Sequence, residues 1–265
     1  MNEKIPIYMI ERHLSAFPNL ESLMKDSICE IYNKDRQTPL GYGLGWALRD
    51  SMICPMGQGT VYLDSLELNL CSIVGKIDEQ HLIIFKKRLV GNFWETFPEI
   101  QTLGAICRAG KKVQMEKPLS DGDSDKTFDF FILQPEIFIE VYCPFSKDYH
   151  DETAKWAGIG EELREKFFKK YDKKKLKDTN SCYPVFLIIN TSRLLDKDEI
   201  HASEIIDPIS KKYVFPKNVH CYGAFLYEPK FNVGDTVNVY SQAKFCPNCS
   251  EELKAELTKI FNELR

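Results

Sequence analysis

Apolar and polar positions recur with two clear periods in the second two thirds of the chain, and each period predicts its own element. In Asp78-Glu-Gln-His-Leu-Ile-Ile-Phe-Lys-Lys-Arg-Leu an Asp N-cap precedes helical spacing. A second helical stretch places Phe93, Phe97, Ile100, Gly104 and Cys107 on one face, with Pro98 expected to kink it or to start a new helix. Gly110 supplies the left-handed residue that ends this helix, and Lys112 to Lys117 alternates like a strand. A polar loop, Ser120 to Asp125, comes next.

Two short apolar runs follow, Thr127 to Leu133 and Ile137 to Cys143, and Gln134-Pro135-Glu136 between them predicts a β-hairpin. Beyond it the pattern predicts a helix over about Asp151 to Lys177 and strands over Tyr183 to Asn190, Tyr222 to Tyr227 and Val237 to Tyr240. An amphipathic helix, Glu251 to Leu264, closes the chain. This order predicts an α/β domain over residues 77–265, with a mixed central β-sheet flanked by helices. Residues 1–76 are more mixed. A helix over Asn19 to Tyr32, the run Gly41-Tyr-Gly-Leu-Gly45 and an alternating segment, Thr60 to Ser72, predict an N-terminal α+β region of unknown role.

Each hairpin strand is apolar but for one carboxylate, Asp129 in Phe128-Asp-Phe-Phe-Ile132 and Glu140 in Ile137-Phe-Ile-Glu-Val141. Strand side chains alternate between faces, so Phe128, Phe130 and Ile132 share one face while Asp129, Phe131 and Leu133 share the other. A loop from Leu133 to Glu136 pairs Ile132 with Ile137 and sets Asp129 opposite Glu140, keeping one face wholly apolar. Like charges facing one another destabilise a strand pair unless a cation or a shared proton joins them. Oxygen ligands on one side of a hairpin suit a hard divalent ion such as Mg²⁺. The competing reading is a solvated face whose acids keep the sheet soluble; the neighbours Phe131, Phe138 and Tyr142 argue against full exposure.

Composition narrows the classes. At 265 residues and 43% hydrophobic content the chain has enough apolar side chain for a real core, which excludes a disordered or fibrous protein. Lys and Arg number 35 against 39 Asp and Glu, so any nucleic-acid partner must be held by a local patch. One exists between Arg164 and Lys177, where eight basic residues face two acidic ones. An odd count of nine cysteines and an N-terminal stretch without an apolar core or cleavage site point to a reducing, cytoplasmic setting. The longest apolar runs, Val185 to Ile189 and Leu82 to Phe85, are far short of a membrane helix, so no membrane partner is expected.

A helix bearing Glu, then a glycine, a strand, a polar loop, a strand Asp, a turn and a strand Glu resembles the PD-(D/E)XK nuclease superfamily, over about Phe93 to Lys177. The pieces that carry the resemblance are Glu99-Ile-Gln-Thr-Leu-Gly-Ala-Ile-Cys-Arg-Ala-Gly110-Lys-Lys-Val113, Phe128-Asp129-Phe130 and Ile139-Glu140-Val141-Tyr142-Cys-Pro144. The resemblance implies a restriction-endonuclease-like fold and Mg²⁺- or Mn²⁺-dependent hydrolysis of phosphodiester bonds, with DNA favoured over RNA. It implies that Asp129 and Glu140 ligate the metal and that Glu99 completes the shell. Glu95, one turn earlier, is the rival for that third place, and Glu116 is a weaker spare. The superfamily places a lysine two residues after the strand Glu, where this chain has Tyr142. Lys166 is the first candidate to replace it, with Lys169 and Lys126 behind, so the implied catalytic set is Glu99, Asp129, Glu140 and Lys166.

A second reading from another class is a catalytically silent nuclease fold that binds nucleic acid or a protein partner, and Tyr142 is its best support. A third builds a zinc-dependent interaction module on Cys246-Pro-Asn-Cys249, although no second CxxC or HxxxH completes a four-ligand site, and a capped turn into the last helix explains the motif more simply. The glycine run lacks the context of a dinucleotide loop, and the five histidines show no ligand spacing. Oligomeric state, a homodimer included, is open at this level.

Overall fold

Helical spacing governs every described element up to Arg108. The computed structural model describes residues 5–35, 43–116, 128–143, 183–190, 219–227, 239–245, 247 and 249–264. It divides into two compact units, the first reaching Arg108 and the second beginning at Ala109. In the first unit lie α1 (Ile7–Leu14), α2 (Pro18–Met24), α3 (Ile28–Asp35), α4 (Leu44–Ile53), α5 (Gln58–Ile73), α6 (Glu79–Gly91) and α7 (Phe93–Arg108). Helices α6 and α7 therefore group with the N-terminal residues, whereas the sequence reading joined them to the following domain from residue 77.

The expected α+β character of residues 1–76 is corrected: their described residues form helices and turns and no strand. The cause is visible in α5. Leu66, Leu68 and Leu70 read as period two, yet Leu68 is 42% exposed, while Tyr62, Leu63, Leu66, Leu70 and Ile73 are buried at helical intervals. Three polar residues sit in the same interface. Asn69 Nδ2 donates to the Ser65 carbonyl at 2.6 Å, and Gln101 Nε2 of α7 donates to Ser65 Oγ at 3.2 Å. Helix α7 continues through Pro98, which is buried with Phe97 and Ile100. The packing of that apolar face outweighs the hydrogen bond a proline deletes.

Two helix starts are capped from a distance. Glu67 of α5 accepts the main-chain N–H of Asn19 through Oε1 and of Leu20 through Oε2, both at 2.9 Å, at the start of α2. Its carboxylate satisfies donors that the N-cap residue Phe17 has no side-chain oxygen to meet. Asp50 of α4 accepts the Gly59 N–H at 2.8 Å in the first turn of α5.

The second unit is the mixed sheet that the alternating runs predict. Gly110, at φ +74°, follows α7 as expected. The strands are β1 (Val113–Met115), β2 (Phe130–Leu133), β3 (Glu136–Tyr142), β4 (Val185–Asn190), β5 (Val219–Tyr227) and β6 (Val239–Phe245), ordered sequentially across one six-stranded sheet. Pairs β1/β2, β2/β3 and β5/β6 are antiparallel; β3/β4 and β4/β5 are parallel. The last helix, α8 (Glu251–Asn262), is N-capped by Ser250, whose Oγ accepts the Leu253 N–H at 3.2 Å. Phe261 of α8 meets Phe186 of β4 at 6.2 Å between ring centroids, so α8 covers the sheet face that carries Ile139 and Phe186. The helix expected over Asp151 to Lys177 and the Ser120 to Asp125 loop lie outside the described residues.

Candidate functional site

The hairpin register is the one that the alternation predicts: Ile132 pairs with Ile137, Phe131 with Phe138 and Phe130 with Ile139. Phe130, Ile132, Ile137 and Ile139 are all fully buried. The paired register ends at Phe130 with Ile139, and Asp129 and Glu140 are the next residues of the two segments.

Asp129 stands at a bend just before β2. Its Oδ2 accepts the main-chain N–H of Val141 at 2.7 Å. In an uninterrupted antiparallel ladder that N–H would go to the carbonyl of the residue paired with it. The side chain of Asp129 takes the place of that carbonyl and ends the ladder, so the carboxylate is fixed against the main chain beside Glu140. The bend has a second effect, on Phe128. Alternation predicts Phe128 on the face of Phe130 and Ile132, but its ring packs on Phe138 at 4.6 Å, on the opposite face. The regular pleat begins only at Phe130, and the residue two positions earlier is released from it.

Glu140 lies within β3, between β2 and β4, and is 9% exposed. Leu187 of β4 is its parallel neighbour. On the same face Phe138 meets Phe131 at 4.7 Å and Tyr183 at 5.8 Å. This aromatic cover answers the solvated-face reading: the Glu140 side of the hairpin is packed. Tyr142, in the position where the superfamily pattern has lysine, is half-buried at the end of β3.

Glu116 follows β1 and donates its main-chain N–H to the Asp129 carbonyl at 3.1 Å, continuing the β1/β2 register past Met115 and Phe130. It is exposed and has φ +49°, a left-handed conformation unusual for a side chain of this kind. Glu116 and Asp129 thus meet just beyond the ends of β1 and β2.

The helical acids belong to the first unit. Glu99 of α7 is 13% exposed and is held by Arg88 of α6 in a two-pronged ion pair, Nη1 to Oε2 at 2.6 Å and Nη2 to Oε1 at 2.5 Å. This contact ties the last turn of α6 to α7. The sequence held a signal for it, a basic residue near one helix end and an acid in the next helix, but not the pairing. Glu95 is exposed in the first turn of α7. Lys126, Lys166, Lys169 and Cys246 lie outside the described residues. Cys249 is buried, and burial pushes its thiol pKa up. Among the described residues no group of three or more His, Cys, Asp or Glu side chains is disposed to hold a metal ion, and no helix is long and apolar enough to cross a membrane.

Comparison with protein-family models, curated proteins and solved structures finds no match to this chain.

Proposed function

We propose that Asp129 and Glu140 hold a divalent cation, Mg²⁺ or Mn²⁺, and that the protein is a metal-dependent nuclease hydrolysing phosphodiester bonds, of DNA ahead of RNA. The observation that carries this reading is the near-complete burial of Glu140, with the Asp129 carboxylate held on the next main-chain N–H, that of Val141. Two neighbouring carboxylates, one of them out of water, are stabilised by a cation that both can reach. Mg²⁺ retains several waters and is commonly held by one or two carboxylates together with substrate phosphate, so this pair is a sufficient donor set from the protein. When bound, such an ion supplies polarisation of the phosphate and a more acidic water. The residues do the rest. The Val141 N–H fixes the orientation of Asp129, and the rings of Phe131, Phe138 and Tyr183 keep the Glu140 face packed. A replacement for the missing lysine, with Lys166 first, comes from the basic stretch Arg164 to Lys177, which would also follow a phosphate backbone. Nine cysteines, an odd count, go with a cytoplasmic setting for this activity.

Two observations favour the second reading, a restriction-endonuclease-like fold that binds nucleic acid or a protein without cutting. One Asp129 oxygen serves the main chain, as a purely structural carboxylate does, and Tyr142 occupies the lysine position. The test is incubation of labelled single- and double-stranded DNA and RNA with Mg²⁺ or Mn²⁺, against EDTA and Glu140→Ala controls. Metal-dependent products that vanish in the variant are expected. No product from any substrate, together with no Mn²⁺ binding, would leave the silent fold as the better account.

A further inference from the structure

We draw no further inference here: the strongest candidate, the acidic residues Glu116 and Asp129 just beyond the ends of β1 and β2 and Glu140 in β3, belongs to the site already described, and no second observation there points to another ligand.

Discussion

The carboxylate of Asp129 accepts the main-chain N–H of Val141 at 2.7 Å and thereby replaces a backbone carbonyl at the end of the β2/β3 ladder. A structural and a metal-binding role for Asp129 separate by substitution. Asp129→Asn keeps an oxygen acceptor for Val141, whereas Asp129→Ala leaves the N–H without one, at a cost of about 1–3 kcal/mol. In urea unfolding, Asp129→Asn is expected to stay near the wild-type midpoint and Asp129→Ala to fall well below it. Both are expected to lose Mn²⁺ binding. An Asp129→Asn protein that still bound Mn²⁺ with wild-type affinity would reduce Asp129 to a ladder cap.

Glu140 is buried in the middle of the sheet, so its charge is the one that a bound cation relieves most. A ligand that binds only the folded state stabilises it by RT ln(1 + [L]/Kd), about 2.7 kcal/mol at a hundred times Kd. Mn²⁺ is therefore expected to raise the melting temperature of the wild-type protein by several degrees. Glu140→Gln, close to Glu in shape, is expected to fold and to show no such rise. Equal shifts for the two proteins would place the ion elsewhere.

How much of this was legible in the sequence depends on how local each cause is. The hairpin was legible down to its register, because only one loop length keeps the apolar residues Ile132 and Ile137 on a common face. The presence of the remaining strands and of the last helix followed from runs of β-branched residues and from helical spacing, whereas the order of the strands across the sheet did not. Helix α5 was misread because Leu66, Leu68 and Leu70 imitate a strand; the deciding fact, that Leu68 faces outward, is tertiary. The Asp129 bond to Val141 and the Glu99 pair with Arg88 were likewise hidden. Each joins residues 11 or 12 apart in sequence through side-chain directions that no periodicity encodes.

The Glu99 pair has a measurable signature of its own. Its two hydrogen bonds are parallel and partly shielded, which favours coupling on the order of 1 kcal/mol in a double-mutant cycle. Arg88→Met, Glu99→Gln and the double variant are expected to be non-additive in chemical denaturation, the double variant losing less than the sum of the singles. Strict additivity would mean that the pair contributes nothing to holding α6 against α7.

Gly104 of α7 packs directly against Asn69 of α5. A Cβ there would lie 2.2 Å from Asn69 Oδ1 and 2.9 Å from Asn69 Cβ. Alanine is a better helix former than glycine by about 1 kcal/mol, yet inserting a methyl into a filled interface costs about 1–3 kcal/mol, and Asn69 is fully buried with little room to turn. Gly104→Ala is therefore expected to be destabilising in urea unfolding. Adding Asn69→Ala is expected to recover part of the loss by removing the obstructing side chain. A Gly104→Ala protein more stable than wild type would contradict this packing of α5 on α7.

His13 of α1 gives the first unit a pH dependence whose sign follows from its surroundings. Its Nε2 lies 2.6 Å from Ser51 Oγ of α4, a buried hydroxyl that also donates to the Leu48 carbonyl, and its ring stands edge-on to Phe17 at 5.6 Å. Burial disfavours the charged imidazolium and lowers the His13 pKa from its ordinary value. The unfolded chain, with an imidazole pKa of about 6.5, therefore binds a proton at a higher pH than the folded one. The stability that the neutral ring contributes is present above that value and is lost as pH falls from it through the lower folded pKa. Thermal unfolding of the wild type and His13→Gln at pH 7.5 and pH 5.5 isolates this contribution, because carboxylate titration is common to both proteins. The wild type is expected to lose more stability over this interval than the variant. Equal losses would show that His13 titrates in the fold as it does in water.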